Sequence, residues 1–199
     1  MNDDIKSAFE IAMEKIAALD EVTPENKLKW KFTPEGEQAA LRYFKDGQDM
    51  APAISHFPKE AQPFVRTGAE EVLLSNIQLP ATETIQQRNK KALEGMPAVK
   101  TDKNATNKLL NQMKQILEHY SDQGAEQRKQ AFEQLKQQYE AKLKKAASKQ
   151  LGSKTEGDLG INVETLPQFQ EEWRRVTAQM DDQYLKLLDE FKKELRKIK

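Results

Sequence analysis

The chain has 199 residues, no cysteine, and 32 basic residues against 32 acidic ones. That balance excludes a global field able to draw it onto nucleic acid or anionic lipid, and the missing thiols exclude disulfides, thiolate metal sites and cysteine nucleophiles. Only 37% of residues are hydrophobic, 32% are charged and mean hydropathy is −0.85, which argues for elongated helices with narrow apolar stripes rather than a thick layered core.

The first residues, MNDDIKSAFEIAMEKIAAL, place Ile5, Phe9, Ala12, Ile16 and Leu19 at alternating steps of four and three. This spacing predicts an amphipathic helix over about 3–20, with Asp3 and Asp4 at its positive end. Acidic residues stand where a signal peptide has its basic region, so no leader is expected. No run approaches the roughly 20 apolar residues of a membrane span, and the expected location is cytoplasmic.

Thr-Pro-Glu then occurs twice, at Thr23 and at Thr33. Threonine caps free amides and proline suits the first helical position, so each copy reads as a helix start. The second leads through Ala40, Leu41 and Phe44 to a stop at Asp46-Gly47. Thr33 precedes a proline and is biased out of the helical region. The intervening KLKWKF is therefore expected to be a connector, a short helix or an extended piece, whose apolar side chains plug into neighbouring helices. Lys27, Lys29, Trp30 and Lys31 are a candidate nucleic-acid contact, lysines for phosphates and tryptophan for a base.

Asp49 caps a predicted short helix ending before Phe57-Pro58, and Pro63 opens another that ends at Leu79-Pro80. Thr82 to Glu94 reads as a weaker helix with Gly95 as its stop, and GMPAVKTD as the domain boundary. Beyond it the chain is rich in Gln, Lys, Glu and Ala and lacks proline until Pro167. Leu109, Met113, Ile116 and Tyr120 form one stripe, continued by Phe132, Leu135, Tyr139 and Leu143 after a break at Ser121 to Gly124, expected as a turn or a sharp kink. Residues 151–164, with Gly152, Gly157 and Gly160, read as a loop.

Thr165 and Gln168 fit a capping box. The last helix carries Phe169, Trp173, Val176, Met180, Tyr184, Leu187, Phe191, Leu195 and Ile198 at a mean spacing that implies little supercoil. The expected fold is all-α: a cap of shorter helices over 1–100, then a long antiparallel hairpin or three-helix bundle over 101–199.

Chemistry is hard to find. Glu-x-x-His is absent before His56 and His119, no Gly-rich phosphate loop occurs, and no nucleophile–base set stands out. The expectation is therefore no catalytic residue, no metal and no cofactor. A non-catalytic protein acting through a protein partner or through its own copies is expected, with Trp173, Met180, Tyr184, Leu187 and Phe191 as the candidate self-association stripe. RNA or single-stranded DNA binding is the alternative.

Overall fold

A computed structural model describes residues 23–151 and 162–199. The helix expected over 3–20 and most of the loop expected over 151–164 lie outside those residues. The described residues are helical and contain no strand: α1 (Pro24–Asp46), α2 (Met50–Ser55), α3 (Gln62–Ser75), α4 (Glu83–Val99), α5 (Lys103–Ser121), α6 (Gln123–Leu151), a 3-10 turn (Val163–Thr165) and α7 (Pro167–Lys197).

Thr23 starts α1 as its motif predicts, its side chain accepting from the Asn26 amide at 3.2 Å. Thr33-Pro34-Glu35 does not start a second helix. α1 runs through it to Gly47, whose φ of 70° closes the helix with a 3.1 Å bond to the Tyr43 carbonyl. There is thus no connector over 24–32. An interior proline removes one helical hydrogen bond at a cost of about 3 kcal/mol; here packing outweighs it, because the same helix supplies the buried Gly36, Ala39 and Ala40.

The described residues fall into two compact units. In the first, α1 and α3 pack closely. A Cβ added at Gly36 would overlap the Val65 carbonyl, and one at Gly68 would overlap that of Thr33. The core comprises Met50, Ile54, Val65, Ala69, Leu73 and Leu74, with Ala92, Met96 and Val99 from the second half of α4. α4 continues past Gly95, the predicted stop. A Cβ there would come within 2.8 to 3.1 Å of Met50, Tyr43 and Leu73, so this glycine admits neighbours rather than ending a helix. Polar bonds fasten α4 to the rest of the unit: the Tyr43 hydroxyl donates to the Lys91 carbonyl at 2.8 Å, Arg66 to that of Ala98 at 3.2 Å, and Lys100 pairs with Glu70 at 2.7 Å.

The second unit contains Ile77–Lys90 and the chain from Asp102 onward. The buried Asn89 clamps the Gln78 backbone, accepting from its amide at 2.9 Å and donating to its carbonyl at 2.6 Å. α5 and α6 lie nearly end to end. Only Asp122 separates them, and helical bonds from Asp122 to Glu118 (3.0 Å) and from Glu126 to Asp122 (3.2 Å) cross the break, so the expected interruption is a bend and not a turn.

α7 runs antiparallel to this bent arm. The Asp102 amide at the start of α5 bonds the Lys199 carbonyl at 2.9 Å, while Phe132 of α6 packs edge-on against Phe169 and Trp173 of α7, at 5.4 and 5.1 Å between centroids. The predicted capping box does not form. The Thr165 hydroxyl instead donates to the Asn162 carbonyl at 2.8 Å, closing the 3-10 turn, and Pro167 takes the first helical position, where no amide needs a cap. The buried residues of α7 are Phe169, Leu188 and Leu195. Leu188 replaces the predicted Leu187, which is 41% exposed.

Candidate functional site at the helix bend

The bend at Asp122 gathers polar and aromatic side chains from all three long helices. One turn into α6, Arg128 reaches back over the end of α5. Its guanidinium stacks 4.0 Å above the Tyr120 ring and donates to the Tyr120 carbonyl at 3.1 Å. Its other terminal nitrogen faces the Asp181 carboxylate at 3.8 Å, a separation for electrostatic attraction but not for a hydrogen bond. Neither of those two atoms, both buried, has a hydrogen-bond partner.

Tyr120 is buried and meets Tyr184 edge-on at 5.1 Å. Burial pushes the Tyr120 phenol above its ordinary value, the Asp181 charge adds to the rise, and Arg128 opposes it. The Tyr184 hydroxyl lies 2.9 Å from His119 Nδ1, so the exposed histidine is hydrogen-bonded rather than simply solvated. Gly124 leaves room for this cluster, since a Cβ there would stand 3.3 Å from both Arg128 and Tyr184.

Beside the cluster runs an open groove of about 650 Å³. Ile116, Val176, Met180 and Leu187 give it an apolar floor, and His119 and Gln183 are among its polar edges. A second groove of about 730 Å³ shares Val176 with it and is bordered by Tyr139, whose hydroxyl donates to Glu172 at 2.6 Å.

The predicted stripe of α7 therefore divides. Trp173 turns onto Phe132 and Tyr184 joins the cluster, whereas Met180 and Leu187 line the groove; Phe191 is half-buried farther along. Reasoning from the sequence missed Tyr120, Arg128 and Asp181 as a set. No local spacing signals it, because Asp181 lies more than 50 positions from Arg128.

In α1, Lys27, Lys29, Trp30 and Lys31 are all exposed, and Trp30 is 64% exposed instead of plugged into a neighbour. Phe32 and Leu28 are the half-buried members, Phe32 meeting Phe57 at 5.9 Å. A helical turn of 100° per residue sets Lys27 about 60° from Trp30 and puts Lys29 and Lys31 about 100° away on either side of it. His56 is exposed at the end of α2. Among the described residues, no group of three His, Cys, Asp or Glu side chains is arranged to hold a metal ion, and no helix is long and apolar enough to cross a membrane.

The described chain is thus an all-α protein whose longest helices form an antiparallel arrangement around a bend. It belongs to a family of unknown function (DUF6657), whose model matches residues 51–197. That match takes in α3 to α7 and begins within α2, so Trp30 lies outside it. No curated protein and no solved structure matches the chain.

Proposed function

We propose that this is a non-catalytic, cytoplasmic protein that works through protein contacts and self-associates along α7. The observation that carries the reading is the groove at the bend, where Met180 and Leu187 present apolar surface beside the well-packed Tyr120–Tyr184 cluster. Leu187 is one of the four large hydrophobic residues that stand exposed among those described. Water contact with such a strip is relieved when a partner helix covers it. Light scattering coupled to size exclusion tests this: the parent chain is expected as a discrete oligomer that Leu187→Asp and Met180→Asp return to monomer. A parent chain that is already monomeric at tens of micromolar removes the self-association.

A second reading has one observation in its favour. Trp30 stands exposed one turn from Lys27 on α1, with Lys29 and Lys31 to either side, a pairing of a stacking ring with phosphate-binding cations that single-stranded nucleic acid needs. Quenching of Trp30 fluorescence by an oligonucleotide at low salt, reversed at high salt, is the expected signature. No quenching at low salt ends this reading.

A further inference from the structure

The chain has no cysteine, so its methionine thioethers are the side chains most readily oxidised by peroxide. Four of its six methionines lie among the described residues. Three of them are sealed: Met50 is 1% exposed, and Met96 and Met113 are 0% exposed. Met180 is different. It is half-buried on α7 and lines the open groove at the bend, where solvent arrives without any opening of the fold.

Its position gives this accessibility a consequence. Met180 shares the groove floor with Ile116, Val176 and Leu187, the apolar surface on which a partner would rest. Peroxide converts the thioether to a sulfoxide: the sulfur lone pair takes one oxygen, the O–O bond breaks, and the other oxygen leaves as water with both peroxide protons. Sulfur gives up two electrons and the peroxide is reduced by the same two. The product keeps its length but carries a strongly polar S–O group in the middle of the floor. Covering that group with an aliphatic side chain would strand a hydrogen-bond acceptor away from water, so an apolar partner is rejected.

Left uncovered, the same group is accommodated. Gln127, Gln179 and Gln183 line the groove, and their amide N–H groups suit a sulfoxide oxygen. Oxidation at Met180 therefore changes what the groove accepts and leaves the fold in place, whereas at Met50, Met96 or Met113 the added oxygen would have to enter a packed core.

We propose that Met180 is a peroxide-sensitive modification site whose sulfoxide closes the groove to self-association. The site stands on burial and on the groove, while its consequence rests on the self-association reading above. Coverage by a second copy shields the sulfur in turn.

The test uses the full chain. Trypsin, which cuts after Lys and Arg, releases each of the four methionines in a separate peptide, Met180 in residues 176–186. With hydrogen peroxide, at a dilution where light scattering shows monomer, that peptide is expected to gain an oxygen about tenfold or more faster than those of Met50, Met96 and Met113. At higher concentration the untreated chain is expected as an oligomer and the treated chain as a monomer with its circular dichroism unchanged, while Met180→Leu stays oligomeric through the same treatment. Met1 and Met13 lie outside the described residues and Met180→Leu keeps both, so dissociation of that variant by peroxide overturns the proposal. So does oxidation of Met180 no faster than that of the sealed methionines, and so does an oligomer that survives complete oxidation of Met180. A chain already monomeric before peroxide is added fails the self-association reading and overturns the consequence with it, and the peptide rates then judge the site alone.

Discussion

Gly36 lies against the backbone of Val65 to Ala69 while Gly68 lies against that of Thr33 to Glu37, so each glycine makes room for the other's helix. α1 and α3 can meet at this distance only because neither carries a side chain at the crossing. The contact also explains how Pro34 is tolerated: α1 is kept helical through its proline by a partner that touches its backbone at Thr33 and Glu37, on both sides of Gly36.

Gly36→Ala and Gly68→Ala each force a Cβ into a main-chain carbonyl, which cannot rotate away. Each is expected to destabilise the fold by about 3 kcal/mol or more, at the upper end of overpacking costs. The double variant is expected to lose less than the sum, since one separation of the helices relieves both clashes. Urea denaturation followed by circular dichroism measures this.

Lys100 is 3% exposed and sits 2.7 Å from a Glu70 carboxylate that is itself nearly buried. Removing one charge strands the other, at a cost of about 3–5 kcal/mol, whereas replacing both with apolar residues costs far less. Lys100→Met alone should therefore lower the denaturation midpoint much more than Lys100→Met combined with Glu70→Leu. Equal losses would show that the pair is not coupled.

Leu187 and Leu188 are neighbours with opposite fates. Leu188→Asp buries an unpaired carboxylate and is expected to cost at least 3 kcal/mol. Leu187→Asp, on an exposed position, is expected to change the stability of the folded monomer, beyond what dissociation of an oligomer removes, by less than about 0.5 kcal/mol. Thermal melts of the two single variants at matched concentration distinguish them, with dissociation of an oligomer by Leu187→Asp seen separately in scattering.

Tyr120 gives stability a limit on the alkaline side. Its folded pKa is raised above the ordinary tyrosine value, chiefly by burial and then by Asp181, so the fold prefers the protonated phenol. The contribution is fully present below the unfolded value near 10 and is lost as pH rises through the folded one. Tyr43 acts in the same direction, through burial and then Glu94 and Asp49. Urea midpoints are expected to fall from about pH 10 upward, and Tyr120→Phe should flatten part of that fall.

Arg128 braces the bend from three sides: the Tyr120 ring, the Tyr120 carbonyl and Asp181. Arg128→Ala is expected to cost about 2 kcal/mol, from the lost stacking and the carboxylate left behind. Amide exchange should accelerate around residues 118–126 more than elsewhere in α5. Uniform acceleration along the helix would mean that Arg128 stabilises the fold without fixing the bend.

Much of the helical content was legible because it is local. Thr23 and Asp49 cap the helices they were expected to cap, Gly47 ends α1, and the apolar steps of α5 and α7 mark real packing faces. The errors came where two local signals competed and a distant partner decided. Thr33-Pro34 and Gly95 have the composition of helix ends, yet Gly36 and Gly95 are spent on close approach to α3 and to Met50, Tyr43 and Leu73. At Leu187-Leu188 both residues satisfy the period, and only the course of the bent arm selects Leu188.

Of the candidate sites, the sequence marked Met180 and Leu187 as apolar and Trp30 as aromatic among lysines, but it could not say which would be covered. That depends on what lies across from each helix, as Phe132 lies across from Trp173 and Tyr120 from Tyr184. The amino-acid order by itself determined that the chain would form helices with one greasy side, because that follows from the spacing of apolar residues along 3.6-residue turns. Only the tertiary structure decided which helices touch, where the long arm bends and which apolar residues remain in water, because those outcomes are set by backbone distance and steric fit between residues far apart in the chain.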